Sequence, residues 1–127
     1  MAYLLDLDSP KTVGRDPLIG NIFENLVILE LLKSRFNHGL QPNLYFFRDT
    51  NGNEVDVLYK HGNTLVPIEI KSASTFNKVF AKGINHFQKI SPKATKGVVI
   101  YAGDFTPNTQ SYQVINFFKT HTAIDSI

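Results

Sequence analysis

A chain of 127 residues that is 43% hydrophobic and 19% charged has the make-up of a folded protein, and it is long enough to bury about two-thirds of its unfolded surface in one core. Thirteen basic against eleven acidic side chains leave a net charge of +2, too little by itself to demand a polyanionic partner, so any case for nucleic acid rests on where the charges sit. The absence of cysteine excludes disulfides, zinc–thiolate sites and cysteine nucleophiles, and no apolar run approaches the roughly 20 residues of a membrane span.

The opening MAYLLDLDSP lacks a basic n-region and is not a signal peptide, so a cytoplasmic protein of one domain over residues 1–127 is expected. Residues 1–15, with Pro10 and Gly14, read as an irregular lead-in. Asp16-Pro17 is a helix-start signal, a capping residue followed by proline at the first helical position. The helix is predicted over Leu18–Phe36, ending at Asn37-His38-Gly39. Its apolar residues, among them Ile22, Phe23, Leu26, Val27, Ile28, Leu29 and Leu31, go most of the way round, which points to burial on more than one side. Glu30 has Lys33 at i+3, an ordinary surface pair. Glu24 instead has Val27, Ile28 and Leu31 on its face. A carboxylate among such neighbours is costly unless it is paired, or unless it reaches solvent near the helix start, where the dipole favours an acid.

Pro42-Asn43 leads into a strand-like stretch, Leu44–Arg48, and Asp49-Thr50-Asn51-Gly52-Asn53 is a turn cluster. Glu54–Lys71 then has period-two patterning on either side of Gly62-Asn63, the signature of a β-hairpin. A two-residue loop sets Val57 opposite Ile68 and Tyr59 opposite Val66, with Val55 on the same apolar face. The other face opposes Asp56 to Glu69 and Glu54 to Lys71. Like charges opposed across strands destabilise a hairpin, and a divalent cation would reverse that sign. The alternative is a solvated polar face with Glu54–Lys71 as a cross-strand ion pair. Pro67 sits at a non-hydrogen-bonded position of this hairpin, but a strand on its far side would miss the N–H, and a bulge there would shift the register by one.

After Ser72–Thr75 a second helix is predicted from Asn77 to Ile90, with Phe76, Phe80, Ile84 and Phe87 at core spacing. Lys78, Lys82, His86 and Lys89 make a basic stripe on its other side, able to follow a phosphate backbone or to serve as a solvated face. Gly83 inside the helix costs about 1 kcal/mol against alanine and signals close packing. The run Lys96–Tyr101 reads as a buried central strand, parallel to the one before the helix. Tyr112–Ile115 is a further strand and Phe117–Ile127 a short helical tail. The order specifies an α/β (α+β) fold, a mixed sheet with helices on its faces.

Glu24, Asp56 and Glu69-Ile70-Lys71 in this order resemble the PD-(D/E)XK nuclease superfamily and its restriction-endonuclease-like αβββαβ core. GNIFENLVILELLK, FFRDTNGNEVDVLY, PIEIKSA and KGVVIYAGD more closely resemble the nuclease-like C-terminal domain of prokaryotic AAA-type ATPases known as domain of unknown function 4143, over residues 4–116. The resemblance implies a Mg²⁺ (or Mn²⁺) ion held by Asp56 and Glu69, with the Ile70 carbonyl as a third donor. Lys71 orients or deprotonates the attacking water, Glu24 completes the acidic cluster from the helix, directly or through a water, and Gln88 stands where related nucleases often place a glutamine. It further implies DNA as substrate, to which the basic stripe of Lys78, Lys82 and Lys89 offers contacts, and an ATPase region of the same parent chain as partner. No G-x-x-x-x-G-K-[ST] loop is present, so this stretch is not itself an NTPase, and Met1 is expected to open an excised domain or a truncated gene. Two functions follow: a Mg²⁺-dependent phosphodiesterase acting on DNA, or a non-catalytic module that docks DNA or protein for an ATPase. A third, purely structural reading makes the acids a buried ion-pair network.

Overall fold

The computed structural model describes residues 17–37 and 43–125. The lead-in, Asp16, His38-Gly39 and Pro42 lie outside the described residues. Helix α1 (Pro17–Asn37) is followed by strands β1 (Leu44–Arg48), β2 (Glu54–His61) and β3 (Thr64–Ile70). Helix α2 (Lys82–Ile90), strands β4 (Gly97–Tyr101) and β5 (Tyr112–Asn116) and helix α3 (Thr120–Asp125) complete the order. The five strands form one sheet in the order β1-β2-β3-β4-β5. The first three are antiparallel, and β3, β4 and β5 run parallel, so the fold is the mixed α+β class that the sequence specifies.

The hairpin has the expected register from Val57↔Ile68 to His61↔Thr64. Gly62 supplies the positive φ of 61° that a tight hairpin turn needs at its first central position. The turn before it is built on Asp49, whose Oδ1 accepts the N–H groups of Asn51 and Asn53, both at 2.9 Å. Across Pro67, Leu65 bridges Ala94 whereas Ile68 pairs with Val98, so the β4 side carries one residue more than β3 there. The missing proline N–H is accommodated by that one-residue shift.

Two apolar layers enclose the sheet. On one face Val27, Ile28 and Leu31 of α1 pack on Val57, Tyr59, Ile68, Ile70, Val98 and Ile100. On the other, Ile84 and Ala81 pack on Val99, Tyr101 and Val114, and Phe87 packs on Val55 and Leu58. Every residue of β4 is buried, as the continuous apolar run requires of a central strand with a helix layer on each side.

Two expectations are corrected. The second helix does not begin as an α-helix at Asn77. Residues Lys78–Ala81 form a 3₁₀ turn, capped by the Asn77 side chain accepting the Val79 N–H at 2.9 Å, and α-geometry starts at Lys82. Val55 does not share a face with Val57 and Tyr59, for a reason that lies at the site itself.

Candidate metal and phosphodiester site

Strand β2 carries one extra residue against β1. Tyr45 pairs with Leu58 and Phe47 with Val55, so Asp56 and Val57 together stand opposite Phe46. Such a β-bulge bends the strand and re-aims side chains. It inverts the alternation, sending Val55 to the α2 face while Val57 stays on the α1 face. The ladder with β3 stops at Val57↔Ile68.

Where the strands part, the two carboxylates take over from the backbone. Asp56 Oδ2 accepts the Ile70 N–H at 2.8 Å, and Glu69 Oε1 accepts the Asp56 N–H at 3.0 Å. Each acid is thereby fixed by the other's strand, with one oxygen of each outside these two bonds. The pair that the sequence opposes on paper is brought together in three dimensions by the bulge and not by a continued ladder.

Glu69 is 5% exposed. Burial, and then the neighbouring charge of Asp56, push its carboxyl up to about 8, against the smaller opposing effects of the Asp56 N–H and the Lys71 charge. The two carboxyl groups also lie within hydrogen-bonding reach of each other, which favours one proton between them. Lys71 is half-buried one residue past β3, and its backbone N–H donates to Ile100 O at 2.9 Å, which continues the alignment with β4.

Gly83 of α2 packs closely against Glu69. A Cβ at that position would come 2.5 Å from the Glu54 carbonyl and 2.7 Å from Glu69 Oε2, so only glycine lets α2 lie this close to the acid. The sequence signals close packing at Gly83, but nothing in it names the neighbour.

The other sequence-predicted residues are placed as follows. Glu24 is half-buried on α1, which covers the sheet face opposite α2. Among the described residues no group of three or more His, Asp or Glu could hold a metal ion. Glu54 does not face Lys71. The strands have separated by then, and Glu54 pairs with Arg48 across β1–β2 at 3.0 Å.

Gln88 donates both amide hydrogens to main-chain carbonyls, Thr95 O at 3.0 Å and Ser111 O at 2.8 Å. It fastens α2 to the segments entering β4 and β5, a structural task for its amide. Lys78, Lys82 and Lys89 are all exposed. His86 leaves their stripe and pairs with Asp49 Oδ2 at 3.1 Å, tying α2 to the β1–β2 turn. Desolvation alone would raise the Asp49 carboxyl, but hydrogen bonds from Asn53, Asn51 and His86 hold it below the usual range.

The donor set suits a hard cation. Two carboxylates are what Mg²⁺ commonly takes from a protein, its remaining positions going to waters and substrate phosphates. Burial first, and then repulsion from Asp56, disfavour a charged Glu69, and a cation would offset both costs.

No helix among the described residues is long and apolar enough to cross a membrane. No curated protein matches the chain. The model of the family described as Domain of unknown function (DUF4143) matches residues 19–120, and the chain belongs to that family.

Proposed function

We propose that this DUF4143 member is a Mg²⁺- or Mn²⁺-dependent phosphodiesterase module acting on DNA. The observation that carries the reading is the pairing of half-buried Asp56 with buried Glu69, set at a strand bulge with Lys71 one residue past the strand that carries Glu69. Asp56 and Glu69 would hold the ion, with the Ile70 carbonyl available beside them. When bound, the ion supplies charge neutralisation for the phosphoryl oxygens and acidifies a bound water. Lys71 orients the attacking water and offsets charge developing on the phosphoryl group. Glu69 would hold the ion in its ionised form, so its raised carboxyl would oppose metal binding at low pH. Lys78 on the 3₁₀ turn, Lys82 at the start of α2 and Lys89 near its end make sequence-independent contacts to the DNA backbone.

The test is cleavage of supercoiled and single-stranded DNA with Mn²⁺ or Mg²⁺. Wild type is expected to cleave, and Lys71→Ala to lose about 10²–10⁴-fold of the rate. An inert wild type, or cleavage by Lys71→Ala equal to wild type, rejects catalysis.

One observation favours a second reading, a non-catalytic module docking DNA or protein for an AAA-type ATPase. Among the described residues no group of three or more His, Asp or Glu is placed to hold a metal ion. That reading expects no heat of metal binding in calorimetry, and partner binding by Asp56→Asn equal to that of wild type.

A further inference from the structure

Helix α1 has two apolar sides, and the core uses only one. Val27, Ile28 and Leu31 are buried against the sheet. Ile19 (62% exposed), Ile22, Leu26, Leu29 and Phe36 (58% exposed) point away from it, each of them at least half exposed. Their steps of three and four residues follow the a and d positions of a heptad, broken only by Lys33 at an a position. At about 100° per residue they fall within a quarter to a third of the helix circumference, along a strip about 26 Å long.

We propose that this stripe is the interface of a homodimer in which two copies of α1 pack antiparallel about a two-fold axis. Three features select a second copy as the occupant. The first is the spacing, since a heptad stripe is shaped to receive the side chains of another helix with the same repeat. The second is charge. The described charges on this face are Glu30 and Lys33, which pair with each other at 3.5 Å, so the face is neutral and two copies do not repel.

The third is area. The five side chains present on the order of 600 Å² of apolar surface, at the top of what a monomer ordinarily exposes and near the ~800 Å² per partner of a standard interface. Phe118, 78% exposed and stacked on Phe117 at 4.3 Å, extends the surface, because Phe117 itself packs on Phe23 of α1 at 5.2 Å.

Lys33 decides the direction. Parallel, in-register helices would set Lys33 against its own copy in the seam, whereas the antiparallel arrangement sets it against Ile22, where its stem packs and its ammonium reaches solvent. Antiparallel pairing also sets Leu26 against Leu29 of the other copy, and Ile19 against Phe36.

Sedimentation of the full chain over a range of concentrations tests this. The expected result is a reversible species of twice the 14.3 kDa chain mass. Leu26→Lys and Leu29→Glu, both at exposed positions, should each retain the wild-type circular dichroism and raise the dissociation constant about tenfold or more. Carried together in one chain they face each other across the antiparallel seam and should restore dimerisation. In a parallel seam each would face its own kind, so a double variant that stays monomeric overturns the proposed arrangement. A wild type that is monomeric at every concentration overturns the interface. If the thiol of Leu26→Cys in that monomer also resists alkylation, residues 1–16 of the same chain are the cover instead. Single variants that dimerise like wild type overturn it equally.

Discussion

Glu69, 5% exposed, lies against Asp56 and beneath Gly83 of α2. Its carboxyl is raised from 4.5 to about 8 by burial and by Asp56, so the folded chain retains a proton that the unfolded chain releases. The sign follows from linkage. The native state binds more protons in this window, so the contribution of Glu69 to stability is fully present below about 4.5 and is lost as pH rises towards 8, by at most about 1.4 kcal/mol per pH unit. Thermal unfolding in EDTA should therefore show a melting temperature that falls from pH 5 to pH 8. Glu69→Gln keeps an oxygen for the Asp56 N–H and removes the titration. Its melting temperature should stay level over that range and exceed wild type at pH 8 by the equivalent of a few kcal/mol. A wild-type profile flat over the same range would contradict the raised carboxyl. At this scale the sequence was informative about which residues meet, since the alternation around Gly62-Asn63 already opposes Asp56 to Glu69. It did not disclose how they meet. Hydrogen bonds to the N–H groups of Ile70 and Asp56 depend on the strands parting, and no side-chain pattern encodes that.

Among the elements, α2 does most to shape the pocket, through a residue with no side chain. Gly83→Ala gains about 1 kcal/mol of helix propensity but drives a methyl group into the Glu54 carbonyl and Glu69 Oε2. Moving α2 outward to relieve this costs about 1–3 kcal/mol, so the net change in urea unfolding should be destabilising. Gly20→Ala on α1 is the control. Nothing lies within 4 Å of its Cβ position, and the substitution should stabilise by about 0.5–1 kcal/mol. If both substitutions stabilise, the close approach of α2 is refuted. Element boundaries were legible wherever one period persisted, as in α1, β2, β3 and β4. The 3₁₀ turn was not, because Lys78, Phe80 and Ala81 suit either helical geometry and only the Asn77 cap distinguishes them. The bulge was not legible either. Val55 and Val57 are equally apolar and would fit either face, and the choice is made by β1, whose register the sequence does not display.

At the scale of the whole molecule, metal binding and folding should be coupled. If Asp56 and Glu69 hold Mg²⁺ or Mn²⁺, a concentration one hundred times the dissociation constant should stabilise the chain by about 2.7 kcal/mol. The gain should be larger at pH 8 than at pH 6, where the proton on Glu69 competes with the ion. Differential scanning fluorimetry at both pH values reads this directly, and Glu69→Gln should abolish the response. An unchanged melting temperature at saturating metal, in a chain that still titrates, would leave the acid pair to a structural role. The mixed sheet with a helix layer on each face was legible from element order alone, since a strand–helix–strand unit dictates parallel pairing. The position of Glu24 relative to the acid pair was not, because it depends on which face each helix covers.

The strands lie side by side in the order in which a ribosome delivers them. No strand must be inserted between two already joined, and each newly emerging one finds the previous one as a template. Both acids have emerged once β3 is out, while the segments that bury them are still to come. On the nascent chain Glu69 is thus open to water and ionised. Its uptake of a proton coincides with the docking of α2, which makes that late step the point at which pH acts on folding, and free Mg²⁺ would act there too if the acid pair holds a cation.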